Sequence, residues 1–489
     1  MKKIVLYISI LLTAGMLAFC NETPVYAKEE YTILKGIYAD ELDLSDLTAE
    51  EAKRKVYDYV AELGDLEVTL LTVDDAEVVT TMADLGLNWT NPQVIEEAAS
   101  HARGGNFVQR YKAEKDLLEN NVIYNIELSV DKDEIQAVIA KECSKYNIKE
   151  IDYTLKRQNG QFTVVEGRIG YSVDVESSTD KVYKYLMEEW KRSDCEIAMN
   201  IVETQPKGSV EELSKVKDVL GSYSTSFATS GAERSANVVN GARLINGAVV
   251  YPGEEFSTYE LVAPYTYANG YYPAGSYVSG KVVDSMGGGI CQVSTTLYNA
   301  VLLSELEITE RHNHSMIVSY VSPSADAAIA ESAGKDFRFK NNTDYPIYVE
   351  GITTPDKQII FNIYGAEYRS TNRQVRYESQ IVSTDVPTNE VIYADPTQPV
   401  GYVKVQSAYT GYKAELWKVV TVDGVEVSRT KVNTSTYKKS PRSATVGTAT
   451  DNPQVLAEIN AAIGTSNIEH VKLIASLLAS GQIVTNPDI

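Results

Sequence analysis

The 489-residue sequence has only four cysteines and four histidines, and no run or patch of Lys and Arg. Past the N-terminal leader it has no second apolar run long enough to span a bilayer. Its formal charge is −22, from 67 acidic and 45 basic residues. Nucleic acid is therefore an unsuitable partner, since binding it needs a basic footprint. Charge-driven adhesion to anionic lipids or wall polymers is disfavoured for the same reason. Imidazole chemistry has to come from His101, His312, His314 or His470. Before residue 208 no cluster of His, Cys or paired carboxylates has metal-ligand spacing, and neither a metal nor a cofactor is expected.

What is present begins with a targeting signal. Lys2 and Lys3 precede an apolar run from Ile4 to about Cys20, and Val25-Tyr26-Ala27 offers small residues for cleavage before Lys28. The alternative is an uncleaved anchor, the only membrane contact expected. Either way the remainder is expected to be extracellular, in the cell wall or on the outer face of the cytoplasmic membrane. The exported chain keeps Cys143, Cys195 and Cys291. An odd number leaves one thiol free. Cys143 and Cys195 share one N-terminal unit and are the expected pair, leaving Cys291.

The length implies several domains. The expected class is α+β and multidomain: two α+β N-terminal repeats, a central α+β domain, a small C-terminal β module and a helical tail. After residues 1–27 the first repeat covers 28–120 and the second 121–207. In the first, Thr48 caps a helix to about Leu63, with Glu51 completing a capping box. A hairpin from Leu66 to Met82 and a second helix from Pro92 follow. The second repeat runs likewise: a helix opened by Asp131, a hairpin turning at Asn159-Gly160, Ile169–Val173, then a helix from Thr179 to Trp190. The central domain covers 216–365, with a helix over Ala232–Ile245 and strands over Val249–Tyr251, Tyr277–Val283, Met316–Val321, Asp336–Lys340 and Ile347–Glu350. The β module spans 367–448, with a hairpin at Val422-Asp423-Gly424-Val425 and nothing that suggests catalysis. One or two amphipathic helices fill the tail, 451–489.

The chemistry centres on Gly287-Gly288-Gly289-Ile290-Cys291-Gln292-Val293-Ser294. Three glycines permit a sharp turn and close approach. Val293, Leu297 and Val301 then recur at helical spacing. Cys291 is thus expected at a helix mouth, where unpaired N–H groups favour thiolate. Glu310-Arg311-His312-Asn313-His314-Ser315 follows, and the alternating tail places both histidines on one strand face. Cysteine acyl-transfer enzymes use such a pairing. A buried, inert Cys291 behind an ordinary tight turn is the plainer alternative, and a zinc site from Cys291, His312 and His314 a further one.

These same two stretches resemble the signature of the VanW-like family, as do Tyr251-Pro252-Gly253-Glu254-Glu255-Phe256-Ser257 and Lys340-Asn341-Asn342-Thr343-Asp344-Tyr345-Pro346-Ile347. The repeats resemble the peptidoglycan-binding modules that precede such domains, and Thr410–Thr448 resembles the glycine-marked β module that follows. The resemblance implies a Gram-positive surface protein and an L,D-transpeptidase with Cys291 as nucleophile. It implies His314 as base ahead of His312, Asp326 as orienting carboxylate, and Gly288, Gly289, Gln292 and Ser294 around the oxyanion and substrate. Pro323-Ser324-Ala325-Asp326-Ala327 departs from the family pattern in the residues before Asp326. The implied partners are peptidoglycan stem peptides and the cell wall. Hydrolysis by the same site, or a non-catalytic wall-binding or adhesion role, are the alternative functions.

Overall fold

The computed structural model describes residues 31–278 and 281–482. The expected leader, Cys20 and the cleavage site lie outside them. Among the described residues no helix is long and apolar enough to cross a membrane. The chain forms two compact units, one of residues up to 149 with 170–204, the other of 150–169 with 205 onward.

Along the chain the order of helix, hairpin, short strand and helix occurs from Ala49–Gly64 to Val94–Ser100 and again from Lys132–Glu142 to Val175–Glu188, but the second hairpin falls outside the first unit. Thr48 caps Ala49–Gly64 with the predicted capping box, and Asp131 caps Lys132–Glu142. The cores do not follow the sequence period. Trp89, Val56, Ile95 and Leu117 form one core beneath helices Ala49–Gly64, Val94–Ser100 and Phe107–Glu119. The hairpin Glu67–Leu71/Glu77–Thr81 leaves that core for the next. It pairs with Cys195–Ala198, and Val68, Leu70 and Met82 pack with Ile135, Ile139 and Val182 of the second helix pair. The second hairpin, Thr154–Gln158/Gln161–Val165, lies in the other unit, where Leu155 joins Leu213, Tyr348 and Tyr364. Each hairpin buries its apolar face in the module that follows its own helix.

The expected Cys143–Cys195 disulfide is not formed. Both are free thiols, and Cys143 is sealed among apolar side chains that push its thiol up to about 11.

In the second unit an antiparallel sheet runs in the order Asp218–Ser226, Gln358–Gly365, Ile347–Thr353, Ala248–Val250. Helix Ala232–Ile245 matches its predicted bounds and packs with Ile290–Leu303. Twelve of the fourteen residues of Ile290–Leu303 are buried. It is therefore a core helix and not an amphipathic surface one. The predicted strand Tyr277–Val283 is instead a hairpin, Pro273–Val278 with Lys281–Met286. The predicted strand Met316–Val321 does not form. His314, Met316 and Val318 are buried alternately, but no neighbouring strand pairs with them. Alternation reports burial on one side of an extended chain and does not by itself require a ladder.

Long strands Arg373–Asp385, Gly411–Val422 and Val425–Tyr437 make the first sheet of the C-terminal module, with the predicted turn at Asp423-Gly424. Helices Pro453–Gly464 and Ile468–Ala479 pack on its second sheet through Ile459, Val471 and Ala475. Leu416 reaches the central core. Glu305, at the end of the central helix, joins Arg373, Lys418 and Arg369. Burial opposes its charge, but these cations hold its carboxyl down at about 2.

Two outcomes follow. Iodoacetamide in denaturant without reductant should label both Cys143 and Cys195, and protection of the pair would reveal a disulfide. Glu305→Gln should cost on the order of 2 kcal/mol at neutral pH, the low side for a buried pair because its partners are partly exposed. A glutamate depressed on folding stabilises above its ordinary value of 4.5 and loses that contribution as pH falls toward 2. The gap between wild type and variant in denaturant titrations should therefore shrink across that window.

Candidate active site

The glycine turn is fixed by contact on both sides. Gly288 lies so close to the hairpin that an added Cβ would come within 2.2 Å of the Ala274 carbonyl oxygen. Gly289 caps the central helix at φ 112°, a left-handed conformation that only glycine adopts freely. Asn237, buried on the neighbouring helix, donates to the carbonyls of Gly288 (2.9 Å) and Tyr272 (2.8 Å) and accepts from the Tyr272 N–H. Sequence reading missed Asn237, which carries no local signal. Tyr265 packs behind the turn, edge-on to Tyr271 and Tyr259.

Cys291 is the second residue of the helix, as expected, a half-buried residue that lines a cavity of about 1660 Å³ with His314. The carbonyl of Ile329 lies 3.3 Å from Sγ. His314 is buried and donates from Nδ1 to Asp326 Oδ2 at 2.7 Å, which leaves its other nitrogen to face the cysteine. Asp326 is fully buried. It also accepts from the His314 backbone N–H (2.7 Å), from Arg311 Nη2 (2.9 Å) and from the Tyr437 hydroxyl.

The electrostatics follow from these contacts. Burial by itself would push the Cys291 thiol up, but the hydrogen bond and positive charge of His314 hold it below the ordinary thiol value. Burial likewise disfavours the imidazolium, yet Asp326 and the sulfur raise His314 to about 9. Asp326, although buried, is kept ionised first by His314 and then by Arg311. The three side chains thus form a Cys–His–Asp series in which the imidazolium is favoured by Asp326 and by the sulfur, and the thiolate by His314.

The central helix also explains how Asp326 arrives there. Ser294 Oγ and Thr295 Oγ1 donate to the Ala327 carbonyl at 2.7 and 3.1 Å, Thr295 accepts from Ala327 N, and Asn299 donates to the Ala325 carbonyl at 2.8 Å. The polar residues after Cys291 therefore grip the segment that carries the carboxylate. Ser294 thus holds the segment bearing Asp326 and does not turn toward substrate. Gln292 is buried, donating to Thr225 Oγ1 and the Ser226 carbonyl and accepting from Arg234. The backbone N–H groups of Gly288 and Gln292 are spent on Ser285 and Gly289 carbonyls. Among the described residues no carbonyl claims the N–H of Gly289 or Cys291.

His312 separates from the site. Its Nε2 meets Glu310 Oε1 at 2.9 Å, and it does not line the cavity. With no strand through 312–321, the expected shared face of His312 and His314 does not exist. Cys291, His312 and His314 do not converge as a zinc site, and among the described residues no three His, Cys, Asp or Glu side chains are placed to hold a metal. The C-terminal module, which appeared chemically silent, supplies Tyr437 to Asp326 and Ser435 to Arg311.

The alkylation rate of Cys291, followed peptide by peptide against pH, should show a midpoint below the ordinary thiol value of 9. His314→Ala should move it upward, because burial, the largest influence, then loses its main opponent. His312→Ala should leave it in place.

The "VanW like protein" family model matches residues 233–364, which contain all three members of the Cys–His–Asp group. The model described as "Putative peptidoglycan binding domain" matches once, over 78–193, and the "G5 domain" model matches 377–449. The chain is 35% identical over 209 residues to the uncharacterized protein YoaR of Bacillus subtilis (strain 168), covering 41% of this chain and 68% of that protein. It is 30% identical over 154 residues to the vancomycin B-type resistance protein VanW of Enterococcus faecalis (strain ATCC 700802 / V583), covering 29% of this chain and 54% of that one. Among solved structures, the IgA1 protease G5 domain is 31% identical, over 16% of this chain and 94% of that one, with a TM-score of 0.12. With its central domain and flanking modules matched in this order, the chain belongs to the VanW family, in the peptidoglycan-associated architecture of a peptidoglycan-binding region, a VanW domain and a G5 module.

Proposed function

We propose that this chain is a cell-surface, cysteine-dependent acyltransferase that exchanges amide bonds in peptidoglycan stem peptides, an L,D-transpeptidase. The observation that carries this reading is the buried Asp326–His314 pair set against the partly exposed Cys291 at a helix mouth. The peptidoglycan-binding match over 78–193 supports the choice of substrate.

In this reading the Cys291 thiolate attacks the carbonyl carbon of the third stem residue, forming a C–S bond. The oxyanion is met by the N–H of Cys291, with that of Gly289 as the second candidate. Each such donor is worth roughly 3 kcal/mol of barrier. The C–N bond breaks as His314 gives its proton to the departing amine of the terminal D-alanine. Neutral His314 then takes a proton from the side-chain amine of an acceptor stem, which attacks the thioester. A new amide forms and the thiolate is released. One amide replaces another, with no oxidant or external energy source. Asp326 fixes the tautomer and stabilises the imidazolium. Water in place of the amine makes the same site a peptidase.

A second reading rests on the first unit alone: a wall-binding or adhesion protein in which the cysteine does no chemistry. The family match of that region favours it. The two separate by experiment. On purified disaccharide-tetrapeptides, wild type should yield cross-linked muropeptides and free D-alanine, Cys291→Ala neither. His314→Ala should lose about 10²–10⁴-fold, and His312→Ala should stay close to wild type. D-alanine without cross-links would assign hydrolysis, and cross-links from Cys291→Ala would end the acyl-transfer reading.

A further inference from the structure

Arg234 lies in the first turn of Ala232–Ile245, in the wall of the cavity that holds Cys291 and His314. Its Cγ passes so close over Gly289 that a Cβ there would come within 3.1 Å of it. One guanidinium nitrogen, Nη1, donates to Ser230 Oγ at 2.6 Å and to Gln292 Oε1 at 2.9 Å. These bonds fix the group beside the residue that follows the nucleophile. Among the described residues, neither Nε nor Nη2 has a protein acceptor, and no carboxylate lies within ion-pair distance.

Acidic residues outnumber basic ones 67 to 45. Arg311 pairs with Asp326, Arg338 with Glu255, Glu260 and Asp336, and Arg369 and Arg373 with Glu305, whereas Arg243, on the same helix as Arg234, donates to Asn240 and does not line the cavity. A half-buried guanidinium with two free donor nitrogens, Nε and Nη2, is a receptor for a planar anion, which it holds through parallel N–H bonds. Its neighbours decide where that anion sits. Gly289 lies two residues before Cys291 and Gln292 one after it, so Arg234 borders the same stretch of the cavity wall as the sulfur.

We propose that Arg234 binds the free terminal carboxylate of the donor peptide, so that the site takes acyl donors ending one residue beyond the bond attacked. This rests on the acyl-transfer reading of Cys291 and names the group that selects its donor. Lys438 also lines the cavity but is exposed, and it lacks the fixed fork of an arginine.

Binding to the full-length Cys291→Ala protein, which cannot turn over, tests the proposal. The probes are two disaccharide-tetrapeptides that differ only in a terminal carboxylate or carboxamide, titrated by calorimetry. The acid should bind about tenfold or more tighter than the amide, the range of a charge-assisted hydrogen bond. Adding Arg234→Gln should bring the acid down to the level of the amide and leave the amide unchanged, whereas Lys438→Ala should preserve the preference. A merely structural Arg234 would weaken both probes alike, and that result overturns the proposal, as does equal or absent binding of both. If the acid preference and its loss in Arg234→Gln stand while wild type makes no product from the acid, the acyl-transfer reading fails and the receptor survives.

Discussion

A single buried carboxylate holds the central domain and its chemistry together. Asp326 has no exposure to solvent, and an isolated ion there would be untenable. It persists because Arg311, the Tyr437 hydroxyl, and both the ring and the backbone of His314 converge on it. These partners come from different places: the segment after Glu307–Glu310, and a β module more than a hundred residues later. Removing any one leaves polar groups buried without partners, which costs more than the lost bond itself. The histidine is thus oriented by the same interaction that docks the C-terminal module.

This gives the central helix two roles. Its apolar residues fill the core with Phe337, Phe339 and Phe361. Its buried polar residues, Ser294, Thr295, Thr296 and Asn299, would be costly in a core unless bonded. Each is: three to the segment around Asp326, and Thr296 to the Gln292 carbonyl and to Thr225. The cysteine begins the helix and the carboxylate loop is held along it, so one rigid element sets the spacing between sulfur, imidazole and carboxylate. A site supported in this way is preorganised by packing and not by mobile loops.

The first unit shows a related economy. A hairpin whose apolar face has no room in its own core is completed by the next module, through Val68 and Met82 in one case and Leu155 in the other. Sequence period and structural period then differ by one hairpin. The peptidoglycan-binding match begins at residue 78, inside the first hairpin, in keeping with that offset.

Local chemistry was legible in the sequence. Thr48, Asp131 and the glycine turn specify helix starts within a few residues, and capping or left-handed backbone needs no distant partner. The same locality made Cys291 readable at the mouth of its helix, and the alternating burial of His314, Met316 and Val318 was readable as a period. The tertiary structure alone decided the rest. An alternating stretch without a pairing strand does not keep His312 and His314 on one face, so the choice between them fell to Asp326. Two cysteines in one unit form no bond unless packing brings them together, and Cys143 is instead enclosed by Ile135, Ile139 and Val182. Asn237, Arg234 and Tyr437 carry no pattern, because the partners that tie them to the site, Tyr272, Gln292 and Asp326, lie 35 to 111 positions away. The sequence by itself determined where Cys291 stands on its helix. Which imidazole and carboxylate join it, and which arginine shares its cavity, was decided by long-range burial, because buried charge must find its partners wherever the fold brings them.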